Sequence, residues 1–490
     1  MLRWRTFLSE RLALVEDEGE RIKIERQLRT IERVRYAAVL NPKVLIEFIN
    51  PSTAPSFESK LCEHFLNLNS SQKMAVEIAL GSNALSLIQG PPGTGKTQVI
   101  AEICLQLYRS NPDIRILVCS ETHIAVNNLI SRISEYDDSI RIVRIRDKEQ
   151  NSAVDEFSPE AIIGAYNKWL FEECKSRDIT KTISETFSDY EDKSLEKALA
   201  LSANIAGMTC NRVNAYEFES SSEMFDVVII DEVCKATLPE ILAPLTIAKK
   251  AILVGDPKQL PPVFCSEELD IILSIKECNL QNYQYIDKLF SASSNVTVLD
   301  TQYRMANQIG NLIGTIFYDG KLKNGRNIDG DKCLRWIDYI PTEPWPRAEA
   351  SDEKNPKIYN VDECKIVKSI LTDIDVRNDA NTTVAVIAPY RHQVVMLRNW
   401  LKTENFNKLQ INVDTVDGFQ GKESDVVVFS LTRTVGSFRF FADKRRLNVA
   451  LSRARDMLYV VGNLEYARKY PVLRSIAEKC VVSSSVVQSS

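Results

Sequence analysis

The octapeptide Gly90-Pro91-Pro92-Gly93-Thr94-Gly95-Lys96-Thr97 follows the apolar run 84–89 and opens a helix-length segment. Strand, glycine loop and helix start in that order are the parts of a phosphate-binding P-loop. The glycines let the backbone turn tightly enough to aim several N–H groups at the β-phosphate of a nucleoside triphosphate. Lys96 adds a point charge reaching the β and γ oxygens, and Thr97 offers a hydroxyl to Mg²⁺. The expected ligand is therefore a nucleoside triphosphate with its Mg²⁺.

Two further groups complete that chemistry. After the apolar run Val227-Val228-Ile229-Ile230 comes the pair Asp231-Glu232. Asp231 is placed to hold Mg²⁺, directly or through water, and Glu232 to polarise the water that attacks the γ-phosphate. After another apolar run, Gly255-Asp256-Pro257-Lys258-Gln259 brings up Gln259, an amide able to sense a γ-phosphate. An acidic pair or a proline turn alone is common; three such groups, each at the end of a strand-like run, describe one site.

Elements must position these residues, and the chain has room for them. At 490 residues it exceeds what one hydrophobic core fills, so two large domains are expected. Hydrophobic residues at 44% and charged residues at 26% are ordinary for a soluble chain, and no apolar run approaches the roughly 18 residues that cross a bilayer. No membrane partner is expected. Glu10 and Arg11 interrupt the stretch after Arg3 and Arg5, so no secretory segment can be drawn. Eleven cysteines stand without a CxxC pair beside three histidines, which argues against a zinc or iron–sulfur module. Reduced thiols in the cytoplasm, or the nucleus of a eukaryote, are the expectation. The net charge of −5 neither announces nor excludes a nucleic-acid binder, because phosphate contacts come from local surfaces.

Along the chain, Ile24, Leu28, Ile31 and Ala38 recur at helical spacing among Arg and Glu, which predicts one or two long amphipathic helices before a linker at Pro51 and Pro55. Strands are expected at 84–89, 115–120, 227–230, 251–255, 383–388, 426–431 and 457–461, with helix-length segments between most of them. That alternation predicts two parallel-sheet α/β domains. From about 148 to 200 the strand rhythm stops in an acid-rich stretch, read as a helical or partly mobile insertion. The serine- and valine-rich end has no core-forming period and is expected to fray.

Taken together, these blocks resemble superfamily 1 helicases, in particular the 5′-to-3′ branch that contains the up-frameshift RNA-surveillance helicase and senataxin. The resemblance covers about residues 65–465. Leu68-Asn69-Ser70-Ser71-Gln72 looks like the Q motif, implying that Gln72 reads adenine. The stretch Ile116 to Leu129, with Thr122 and Asn127, is similar to the strand and loop that grip the nucleic-acid backbone. Thr301-Gln302-Tyr303-Arg304-Met305 matches the family's QYRM block, implying Tyr303 stacked on the base and Arg304 as an arginine finger. Within Asp414 to Glu423 the resemblance implies Gly421 and Glu423 near the nucleotide and its ribose, and Thr415 near a strand phosphate. Arg445 to Arg455 matches the last motif and implies a second finger at Arg453.

The resemblance implies an α/β fold of two RecA-like P-loop NTPase domains in tandem, with an N-terminal helical stalk and an insertion in the first domain. The expected division is 1–57 for stalk-like helices and linker, 58–290 for the ATP-binding domain, 291–475 for the second domain and 476–490 for a flexible tail. The implied activity is ATP-driven movement on single-stranded DNA or RNA, with hydrolysis at a cleft between the domains. The alternative is a nucleic-acid-stimulated ATPase clamp without processive unwinding. Protein partners are expected through the 148–200 insertion or the N-terminal helices. One position departs from the pattern: Lys235 stands where the family has Gln, and it is expected to bridge to Asp256 or to a second-domain carbonyl.

Overall fold

The computed structural model describes residues 1–36, 38–51, 59–146, 155–174, 192–215, 224–275, 284–293, 295–326, 332–346, 357–377, 381–419, 421–437 and 443–485, side chains of 167, 170–174 and 192–195 excepted. Two compact units result. The first comprises Met1–Gly90, Gly95–Pro257 and Pro261–Leu299; the second comprises Pro91–Thr94, Lys258–Leu260 and Asp300–Ser490.

In the first unit β1 (Leu85–Gln89), β2 (Ile116–Ser120), β3 (Ile142–Arg144), β4 (Ile205–Thr209), β5 (Phe225–Asp231), β6 (Ala248–Gly255) and β7 (Val296–Val298) form one sheet in the order β3-β4-β2-β5-β6-β1-β7. Every pairing is parallel. Such sheets are covered on both faces, which is why the central strands are continuous apolar runs. Leu87, Leu117 and Val228 point to one face and Ile88, Val118 and Ile229 to the other, each set in its own apolar cluster.

The helices α1 (Leu2–Leu14), α2 (Glu18–Arg35) and α3 (Pro42–Ile49) fall in the stretch 1–57 that was expected as a stalk-like segment and linker ahead of the domain at 58–290. The structure corrects this. Trp4, Phe7, Leu8, Ile24, Ile31, Val44 and Phe48 share the cluster of Leu87, Leu117 and Val228, so the three helices are a layer of the first unit's core. Buried Glu47 of α3 accepts the Leu85 N–H at 3.2 Å and ties that layer to β1. Ala38 lies outside α2 and is exposed, and residues 52–58 of the expected linker lie outside the described residues. The opposite face is covered by α4 (Ser70–Gly81), α5 (Lys96–Ser110) and α6 (His123–Ser134).

Between β3 and β4 run α7 (Pro159–Cys174) and α8 (Asp192–Ser202), in the region expected as an insertion; 147–154 and 175–191 lie outside the described residues. The unit continues through α9 (Leu238–Thr246), α10 (Ser266–Ser274) and α11 (Tyr285–Ala292) to β7. It ends at Leu299 rather than 290, because β7 pairs with β1, Val296 opposite Leu87.

The second unit pairs β8 (Thr301–Gln302) with β9 (Lys323–Asn324). Its main sheet takes β10 (Leu334–Tyr339), β11 (Thr382–Ala388), β12 (Leu409–Thr415), β13 (Ser424–Ser430), β14 (Ala454–Val461) and β15 (Val481–Ser485) in the order β12-β11-β13-β14-β10-β15, again all parallel. Helices α12 (Asn307–Phe317), α13 (Val361–Arg377), α14 (Arg391–Leu401), α15 (Lys444–Leu451) and α16 (Pro471–Lys479) cover it. The tail differs from expectation: α16 continues to Lys479, and β15 joins the sheet with Val482 opposite Trp336. Val481 and Val482 are exposed, so backbone pairing rather than core burial holds this strand, and no apolar period marked it. Among the described residues, no helix is long and apolar enough to cross a membrane.

Candidate active site

The phosphate loop leaves β1 at Gly90, whose N–H donates to the Gly255 carbonyl at 2.9 Å. Gly93 and Gly95 have φ of 74° and 79°, the left-handed region that disfavours any side chain. Gly95 is the N-cap of α5, so Lys96 and Thr97 open that helix with its free N–H groups aimed out of the loop. A Cβ at Gly95 would lie 2.6 Å from Gln72 Nε2. Gln72 is itself buried, and its Oε1 accepts the Asn69 N–H at 2.9 Å while Asn69 caps α4. The residue expected to read adenine thus also braces the loop. Thr94 Oγ1 donates to the Pro91 carbonyl at 2.7 Å, and Pro91 and Pro92 are buried.

Asp231 ends β5 and Glu232 follows it at φ 52°, uncommon for a non-glycine residue. That turn sets the Glu232 carboxylate 3.6 Å from Lys96 Nζ, which also donates to the Gly90 carbonyl at 3.0 Å. Asp231 is buried, and Oδ1 accepts the Glu232 N–H at 2.8 Å. Burial, then the neighbouring Glu232 charge, pushes its carboxyl up to about 7 against the pull of Lys96. A buried carboxylate short of positive charge, with the Thr97 hydroxyl on the first turn of α5, is an oxygen donor set that fits Mg²⁺.

The second unit brings together Gln259 and Arg453, both buried. Arg453 Nη2 donates to Gln259 Oε1 at 3.4 Å, Nε to the Val449 carbonyl at 2.9 Å and Nη1 to the Lys422 carbonyl at 3.2 Å. Arg304 is paired with Glu423, Nε to Oε2 at 2.6 Å, and donates through Nη1 to the Ser452 carbonyl at 3.3 Å. Glu423, expected beside the ribose, is thus the ion-pair partner of Arg304, the residue expected as the first finger. Tyr303 leaves its ring nearly half exposed while its N–H donates to the Gly93 carbonyl at 2.8 Å. Gly421 has φ 81° and open space where a Cβ would stand.

The residues expected at the strand each carry a local bond. Thr122 caps α6, its Oγ1 accepting the Ala125 N–H at 3.3 Å. Asn127 Oδ1 accepts Arg144 Nε at 2.7 Å. Thr415 Oγ1 accepts the Gly418 N–H at 3.4 Å. Lys235 is half-buried with Nζ 3.5 Å from Glu121 Oε2. Lys235 thus pairs with Glu121 in place of the expected bridge to Asp256 or to a second-domain carbonyl.

Sequence reasoning missed the residues that hold these loops. Buried Gln302 accepts the N–H groups of Arg304 and Met305 at 2.9 and 2.7 Å and donates to the Met305 carbonyl, so it builds the turn that presents Arg304. Fully buried Arg144 gathers Asn127, His123 and the carbonyls of Ile145 and Gly207. Gln302 lies inside a block that was read; nothing local marks Arg144.

Residues 67–187 and 166–267 match one family described as AAA domain, and 282–465 match a second family with the same description. The chain is 30% identical over 479 residues to DNA polymerase alpha-associated DNA helicase A of Saccharomyces cerevisiae, covering 86% of this chain and 68% of that protein. It is 31% identical over 419 residues to ATP-dependent helicase NAM7 of the same yeast, covering 82% and 42%. With the yeast Helicase SEN1 it shares 25% over 566 residues, covering 93% and 25%.

Proposed function

The chain belongs to the superfamily 1 helicases, among the up-frameshift and senataxin-like proteins, and from that premise we propose that it is an ATP-driven motor that moves 5′-to-3′ along single-stranded DNA or RNA. The observation that carries the ATPase reading is the left-handed Glu232, with its carboxylate beside Lys96 and next to buried Asp231. In this reading Glu232 polarises the attacking water, and Lys96 and the N–H groups of Gly90 to Thr97 hold the phosphates. Thr97 and Asp231 would hold Mg²⁺, which neutralises phosphate charge when bound. Arg304 and Arg453 stabilise charge on the transferred phosphoryl group, a contribution of roughly 10³–10⁵ in rate for arginine fingers. Both guanidinium groups are held by hydrogen bonds within the second unit.

The test is turnover at saturating ATP with and without an unstructured oligonucleotide. ATPase should be low alone and rise with the strand, and excess EDTA should remove it. Equal turnover in both conditions would sink the motor. A stimulated ATPase that displaces no annealed strand would leave the clamp in its place.

A further inference from the structure

Strands β2 and β5 are neighbours, with Ser120 opposite Asp231. The first residues beyond their ends therefore emerge side by side. One path runs through Glu121 to Thr122, the cap of α6, in the loop expected to grip a strand. The other runs through Glu232 to Lys235, whose N–H donates to the Glu232 carbonyl at 2.9 Å. Across the gap Lys235 Nζ stands 3.5 Å from Glu121 Oε2. That carboxylate oxygen is buried and takes no hydrogen bond from the described residues, so the ammonium is the charge that compensates it.

We propose that Lys235 and Glu121 are positioning residues: their ion pair is the strut through which strand engagement at the 121–127 loop sets the water-polarising Glu232. A residue at φ 52° stays there only when its surroundings impose it. Here the surroundings are a short turn closed by the Lys235 N–H, and the far end of Lys235 is tied to the strand-side loop. A displacement of Glu121 moves the ammonium, and with it the turn that aims Glu232. A strand can shift hydrolysis only through such a differential contact. A Gln at 235 keeps a donor for Glu121; an apolar side chain removes it.

The inference rests on the strand-stimulated reading above. Its test is a double-mutant cycle in the full chain, with a thirty-nucleotide oligothymidylate and its oligouridylate counterpart as probes. Lys235→Met and Glu121→Met should each lower the ratio of stimulated to basal kcat about fivefold, the low end of coupling between sites. The double variant should fall no further than the worse single variant, because each change removes the same interaction. Lys235→Gln should keep most of the ratio, and it remains the readout if Lys235→Met melts below the assay temperature. An unstimulated parent would overturn the motor and this inference with it. A stimulated parent with unaffected single variants, additive losses in the double, or equal losses in Lys235→Gln and Lys235→Met would overturn the strut alone.

Discussion

Glu232 and Lys96 face each other at 3.6 Å, yet their removal should have opposite signatures. Lys96→Ala takes away a phosphate contact, so ATP binding followed with a fluorescent nucleotide should fall to background. Glu232→Gln leaves the phosphate contacts and removes the group proposed to polarise water, so binding should persist while kcat falls roughly 10²–10⁴-fold, the usual share of a general base. Normal hydrolysis by Glu232→Gln would reassign the base. The placement of these residues was legible because it depends on immediate neighbours: glycines that bend, a lysine at the helix start, carboxylates at a strand end. Their partners were not. Glu121 and Arg144 act on residues brought near by folding, and no spacing along the chain reports that; Gln302 acts on the backbone two and three residues on, inside its own block.

At the scale of elements, β1, β2, β5, β6, β11, β13 and β14 read as apolar runs and were legible, whereas β4 is buried throughout but its Gly207 and Thr209 break the run. Strand β12, Leu409–Thr415, lies at a sheet edge, exposes alternate residues and carries Asn412 and Asp414, so it gives no such run. The N-terminal helices showed their amphipathic period but not what they cover. Because Phe7 is buried in the first unit's core, Phe7→Ala should cost about 3–5 kcal/mol, read as a lower denaturation midpoint with an unchanged m-value. If α1 were a detached stalk, the midpoint would not move. In the second unit Glu363 of α13 joins the ends of two strands. Its Oε1 accepts Tyr339 Oη at 3.0 Å, and its Oε2 accepts Ser430 Oγ at 2.5 Å and the N–H of Thr432, a residue at φ 72°, at 2.8 Å. Burial outweighs these donors and raises the Glu363 carboxyl to about 7. A carboxyl raised on folding stabilises the fold below its unfolded value, and that stability is lost as pH rises from about 4.5 through about 7. Glu363→Gln should remove this slope, so the parent's melting temperature should fall relative to the variant's as pH rises from 5 to 8. Parallel melting curves would show that Glu363 ionises as freely folded as unfolded.

For the whole molecule the decisive quantity is charge. A net −5 repels a polyanion at long range, so strand binding has to come from local cations, capped helix ends and backbone N–H groups. The loops that resemble strand-gripping blocks present Thr122, Asn127 and Thr415, side chains suited to phosphate and sugar, and no element reads as a base-recognition module. Two consequences can be measured together by fluorescence anisotropy with labelled oligonucleotides. Affinity should fall steeply with salt: about five phosphate contacts, at about −0.7 each for a single strand, give a loss of roughly 10² between about 50 and 200 mM salt. Affinity at fixed salt should differ little between oligothymidylate and a mixed-sequence strand of equal length, because contacts to the backbone carry no sequence information. A flat salt response would mean that stacking rather than phosphate contact holds the strand, moving the grip toward exposed aromatic rings such as Tyr303.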